Sequence, residues 1–297
     1  MKNTGLLLAA LALLAFVGRA AAQVTVEVVP AQDQFLPGEA LPVAVKITNR
    51  SGQTLQLGKD EDWLTFSMEA RDGFIVLKTG DVPVVQSFEL ESSQVATKHV
   101  NLGPYFNITK PGRYTVTAAV KIKDWNSQIT SEPRYFDVAR GVKIWEQEFG
   151  VPPATPGEHA PPEVRKYALQ KSVGMSSMKL YLRLTDAAET QVYRVFPVGP
   201  MVSFSRPETE LDQQSNLHLI YQTGSHTLLY SEISTEGEVL RRQTYDYATT
   251  RPRLKIDDAG KINVVGGVRH FSDDDIPPSS EVPLATEIHK PAKPATP

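Results

Sequence analysis

The chain has 297 residues, no cysteine and a formal net charge of −3. Without cysteine there is no disulfide framework and no thiol nucleophile. The mild acidity argues against a nucleic-acid partner, which calls for a basic face.

The first residues have the form of a secretory signal. Lys2 is the positive start, residues 5–17 are apolar, and Ala20-Ala21-Ala22 place small side chains before a cleavage point at Gln23. The apolar run is shorter than the ~20 residues of a membrane span. Residues 1–22 are therefore expected to be removed, leaving a secreted or periplasmic chain that does not insert in the membrane. Loss of Lys2 and Arg19 takes the net charge from −3 to −5.

From Val24 to about Gly141 the pattern has a period of two. Val24, Val26 and Val28 alternate with Thr25 and Glu27, and Leu41, Val43, Val45 and Ile47 repeat the pattern. The clearest run is Tyr114, Val116, Ala118, Val120 and Ile122. Such alternation marks strands with one face on a core and one in water. Pro37-Gly38, Ser51-Gly52, Asp72-Gly73 and Pro111-Gly112 supply turns, and short strands at this spacing predict a β-sandwich over residues 23–149. The segments PGEALPVAVKITNRSG and KPGRYTVTAAVKI resemble the bacterial immunoglobulin-like sandwiches, including those related to the BsuPI-type proteinase inhibitors. That resemblance implies a corner tyrosine at Tyr114, its hydroxyl tied back to the backbone, and an inhibitory role for loops of this domain.

Residues 150–163 hold five prolines and are expected to be a stiff linker between domains. After them the chain repeats itself. A shift of 45 residues lays Arg206-Pro207 on Arg251-Pro252, Asp212 on Asp257, Leu211 on Ile256, Leu217 on Ile262 and Leu219 on Val264. A shift of 37 superposes Leu180, Leu182, Thr190 and Tyr193 on identical residues at Leu217, Leu219, Thr227 and Tyr230. Strands are predicted at 208–212, 216–222, 226–233 and 239–246, a four-stranded meander of the kind that forms a propeller blade. Segments 164–170, 179–184, 190–196 and 201–205 read as the preceding blade, and the region after it as half of another.

The expected fold class is therefore all-β, an Ig-like sandwich plus a second antiparallel module of blade-like meanders over residues 164–272. Two and a half blades cannot close a ring. The meanders then fold onto each other as an open sandwich, pack on the first domain, or close by oligomerising through an open sheet edge near Val268; the first is expected. The tail, residues 273–297, is rich in proline and charge and is expected to be disordered.

Motifs for hydrolytic, phosphate-binding or thiol chemistry are missing, and no catalytic residue, cofactor or metal is expected. His218 and His226 flank one hairpin and are read as strand histidines, since nothing else in the sequence supplies further ligands. Asp60-Glu61-Asp62 and Asp273-Asp274-Asp275 are read as solvated acidic loops. Asp212 and Asp257 open turns similar to those of sialidase-type Asp-box repeats, but without that motif's aromatic. Partner contacts are expected at Trp125 and Asn126, at a hairpin tip of the first domain, and at Arg251, Arg253 and Arg269, an anion or acidic-glycan edge in the second. The function expected is that of an exported, non-catalytic binding protein of the cell envelope that recognises protein or glycan. The alternatives are a secreted proteinase inhibitor acting through the first domain and an accessory module of a carbohydrate-active system.

Overall fold

The computed structural model describes residues 24–84, 86–151, 163–173 and 178–276. The expected signal, most of the proline-rich stretch and the tail beyond Ile276 lie outside the described residues. The fold is all-β, with two short 3-10 turns as its helical elements among the described residues. No helix is long and apolar enough to cross a membrane. The chain divides into two compact units between Ala139 and Arg140.

The first unit contains β1 (Val24–Pro30), β2 (Gln34–Phe35), β3 (Pro42–Asn49), β4 (Leu55–Leu57), β5 (Leu64–Ala70), β6 (Phe88–Leu90), β7 (Val95–Asn101), β8 (Gly112–Ile122), β9 (Ser127–Thr130) and β10 (Arg134–Val138). One sheet runs β1-β3-β7 and a second β2-β10-β8-β5, with β9 also on β8 and β4-β6 as a separate ladder. The alternating residues meet between the two sheets: Val26, Val28, Val45 and Ile47 share one core with Val116, Ala118, Val120 and Ile122. Each fully buried aliphatic of this kind contributes about 1.5–3 kcal/mol, which is how a unit without cysteine holds together. The strand β2 pairs parallel with β10 in a sheet otherwise antiparallel. Tyr114 stacks on Phe136, and its hydroxyl donates to the Lys110 carbonyl at 2.7 Å. Asn49, in the first of two potential glycosylation sequons, is fully buried and donates to the Gln53 and Leu90 carbonyls, so its amide is a structural tie.

The second unit begins earlier than its pattern suggests. It contains β11 (Arg140–Gly150), β12 (Val164–Val173), β13 (Lys179–Asp186), β14 (Val192–Pro200), β15 (Glu208–Leu211), β16 (Leu217–Gln222), β17 (Thr227–Ile233), β18 (Val239–Asp246), β19 (Arg253–Ile256), β20 (Ile262–Val265) and β21 (Val268–His270). The strand β11, expected to close the first domain, pairs with β12 across the proline-rich stretch, and Val151 N–H donates to the Glu163 carbonyl. Residues 150–163 therefore join two strands of one sheet rather than two domains. Proline fixes φ and removes a backbone donor, which suits a connection between two strands as well as a linker between domains. The first meander is β11-β12-β13-β14, and residues 201–205, expected as its last strand, form a loop instead.

The second meander, β15-β16-β17-β18, matches the predicted strands to within two residues, and β19-β20 is the half-blade hairpin. Leu169, Leu180, Leu182 and Leu184 of the first meander pack with Leu217, Leu219, Tyr221 and Ile233 of the second. On the second sheet's other face Ile220, Leu228 and Tyr230 meet Leu254 and Val264 of the hairpin. The meanders thus fold onto each other as an open stack. The edge expected near Val268 falls on β21: Val268–His270 pairs with β18 on one side and is the outermost strand of the sheet β15-β16-β17-β18-β21, while Ile276 bridges Arg242. Order also runs past the expected start of the tail, because Asp275 accepts from Arg269 and from Ser272 N–H.

Candidate functional site

Two hairpins of the second unit, β15–β16 and β19–β20, share one turn. Asp212 Oδ1 accepts from the N–H groups of Gln214 and Asn216, and Asp257 Oδ1 accepts from those of Ala259 and Lys261, the same positions 45 residues on. Ser215 and Gly260 take the left-handed conformation that a type I turn with a bulge requires. The Asp257 carboxyl is held below the usual carboxylate range, chiefly by the Lys261 N–H. These aspartates are turn caps. At this end Tyr167 reaches from β12 to the carbonyls of Ser215 and Ser234, tying the first sheet to two turns of the second.

The opposite end of the meanders is built differently. Loop 201–207 is anchored by buried Met201, whose N–H donates to the Met178 carbonyl, by Val202 N–H on the Gln222 carbonyl, and by Ser205, whose hydroxyl accepts from Gln222 N–H. Between these anchors Phe204 is 75% exposed. Two cavities meet along the loop. One, of about 630 Å³, is lined by Ile144, Trp145 and Lys171. The other, of about 410 Å³, is lined by Glu208, Gln222 and Arg251, and both share Phe204 and Arg206. Among the described residues no ion pair holds Lys171, Arg206 or Arg251. The Glu208 carboxylate lines the groove too and accepts from Leu254 N–H. A groove with three unpaired cations and an aromatic face can hold an anionic ligand that also has an apolar side.

Of the residues singled out from sequence, the groove collects Arg251. Arg253 lies exposed on β19, outside the groove lining. Arg269 is occupied: it donates to the Thr244 carbonyl, pairs with Asp275 at 2.8 Å and lies between the Tyr245 and Phe271 rings. Trp125 belongs to the first unit, where it is half-buried against the core, and Asn126 takes a left-handed conformation to close its turn. The neighbouring acidic loop is paired, Asp60 with Lys123 and Asp62 with Lys121. The sequence reading missed Phe204, Lys171 and Arg206 as site residues. Arg206 had a signal, being the repeat mate of Arg251, while Phe204 and Lys171 had none.

The second cluster was missed as well. His218 does not face His226, which lies exposed in the β16–β17 turn; it stands directly across from Glu232. Ligand atoms of Asp212, His218 and Glu232 lie within 4.8 Å of one another. His218 is buried, with Nδ1 at 2.8 Å from the Tyr230 hydroxyl and Nε2 at 3.3 Å from Asp212 Oδ2. Arg241 sits 3.5 Å from Glu232. A cavity of about 220 Å³ opens onto these side chains and onto the Ala259–Ile262 turn residues Gly260 and Lys261.

No family model and no curated protein matches the chain. Among solved structures it is similar to that of Spo0M, sporulation control protein, from Bacillus subtilis, with a TM-score of 0.31 and 8% identity over 57% of this chain and 82% of that one. A likeness at that level carries no functional argument.

Proposed function

We propose that this is a non-catalytic binding protein, exported by the leader at residues 1–22, whose second unit recognises an acidic glycan in the groove around Phe204. The supporting observation is the convergence of Arg206, Arg251 and Lys171, without ion-pair partners among the described residues, on a loop that holds an aromatic ring out to solvent. Unpaired surface arginine beside an exposed ring suits a carboxylated or sulfated sugar, whose charges pair with guanidinium and whose apolar face stacks. The parallel β2–β10 pair and the Tyr114 hydroxyl bond to Lys110 support an Ig-like reading of the first unit, which would carry the glycan-binding unit.

The test is retention of the full chain on a panel of acidic and neutral polysaccharides. Binding to acidic members is expected, weakening with salt. The double variant Arg206→Glu, Arg251→Glu should bind at least about 100-fold more weakly, since each charge-assisted bond is worth about 1.5–3 kcal/mol. Equal retention on neutral polysaccharides, or no effect of the double variant, sinks the reading. The proteinase-inhibitor alternative rests on the exposed extended segment of the first unit with Phe74, Ile75 and Leu77 at its surface. Inhibition of a proteinase panel, with every polysaccharide arm blank, would decide for it.

A further inference from the structure

The half-blade hairpin β19–β20 offers an internal control for the cluster around His218. Forty-five residues after His218 stands Asn263, and its amide donates to Asp257 Oδ2 at 3.0 Å. His218 Nε2 meets Asp212 Oδ2 in the same place. An amide therefore suffices to brace this turn. In the second meander the Asn216 amide already donates to Asp212 Oδ2 at 3.0 Å, and the chain adds to it an imidazole, a carboxylate opposite that ring on β17 and a buried hydroxyl behind it. None of these additions is needed to cap a hairpin.

We propose that Asp212, His218 and Glu232 form a binding site for a divalent transition-metal ion, with zinc as the natural probe. Imidazole and carboxylate together suit such ions. The donor atoms are already gathered within 4.8 Å, in reach of one ion. Binding needs the Nε2 lone pair, so the ring proton must reside on Nδ1. The Tyr230 hydroxyl permits this, because it can accept from Nδ1–H with the ion bound or donate to Nδ1 without it. A partner on the second ring nitrogen fixes a ligating histidine in orientation and tautomer.

Three protein ligands leave a coordination position, and the cavity of about 220 Å³ supplies room for water or a small ligand there. Arg241 and Lys261 line the same cavity, and Arg241 already faces Glu232. The ion competes with these two cations, which makes the site exchangeable rather than a permanent structural one. Filled, it would tie β16 and β17 to the turn that opens β16.

The experiment is titration of the chelator-treated full chain with zinc chloride by calorimetry, with cobalt as a spectroscopic substitute. One ion per chain is expected at this site, and cobalt should give visible absorption of a low-symmetry complex. His218→Asn copies the Asn263 amide of the β19–β20 hairpin, so the turn should survive while zinc affinity falls by at least tenfold. Tyr230→Phe should weaken binding by about 10–100-fold, as loss of an outer partner does. Glu232→Gln gives an independent removal of a ligand. The proposal is overturned if the chain takes up no zinc, or if uptake is unchanged in both His218→Asn and Glu232→Gln. Because the polysaccharide groove uses other residues, its binding should not depend on zinc, and either idea can fail alone.

Discussion

Two exposed turns, one in each unit, invite comparison. The Trp125 turn and the Phe204 loop each put an aromatic beside cationic side chains. At the Trp125 turn everything is spent locally: the indole packs on the core, and Lys121 and Lys123 are paired with Asp62 and Asp60. At the Phe204 loop the backbone is the anchored part, while the ring and the charges are left over. An aromatic at a loop tip does not by itself mark a binding surface. What separates the two is whether the unit's own core and counter-charges have already satisfied the group.

The sharpest way to break that comparison is to truncate each ring. Trp125→Ala should destabilise the first unit by about 2 kcal/mol, below the 3–5 kcal/mol of a fully buried aromatic, and leave polysaccharide retention unchanged. Thermal unfolding and the retention assay read the two effects separately; a loss of retention at unchanged stability would reverse the assignment. Phe204→Ala should do the opposite, costing about 1 kcal/mol of ligand binding, roughly fivefold, with no change in melting temperature. A drop in melting temperature would mean that the ring packs after all.

The smallest effect concerns charge. A hydrogen bond from Lys121 is the main cause holding the Asp62 carboxyl below its usual range, and Asp62 in turn raises Lys121. A carboxyl lowered on folding contributes stability above its unfolded value of about 3.9, and that contribution is lost as pH falls through the lowered folded value. The melting temperature of the first unit should therefore fall more steeply below about pH 4 than in Asp62→Asn. Coincident slopes would show the pair to be idle, as exposed pairs often are.

Much of the architecture was legible before any coordinates. Alternation at Val24–Val28 and Tyr114–Ile122 marked sandwich strands, and the 45-residue echo located β15 and β16 to within a residue and pointed to half a blade after them, where β19 and β20 lie. The proline-rich stretch misled because local composition reports extension and says nothing of what lies on either side. Its flanks, β11 and β12, pair across it. Of the candidate site, Arg251 could be named from its setting and Arg206 from the repeat. Phe204 and Lys171 could not, because exposure is a property of the packed loop.

The sequence by itself determined where strands fall, which faces are apolar, and that Asp212 and Asp257 cap equivalent turns, since those follow from side-chain period and local hydrogen bonding. Only the tertiary structure decided which histidine meets which carboxylate. Register across β16 and β17 sets His218 opposite Glu232 and leaves His226 in the turn. It likewise decided that Arg269 is spent on Asp275 while Arg206 and Arg251 share a groove. Those pairings join residues distant in the chain, and only the packing of the sheets brings them together.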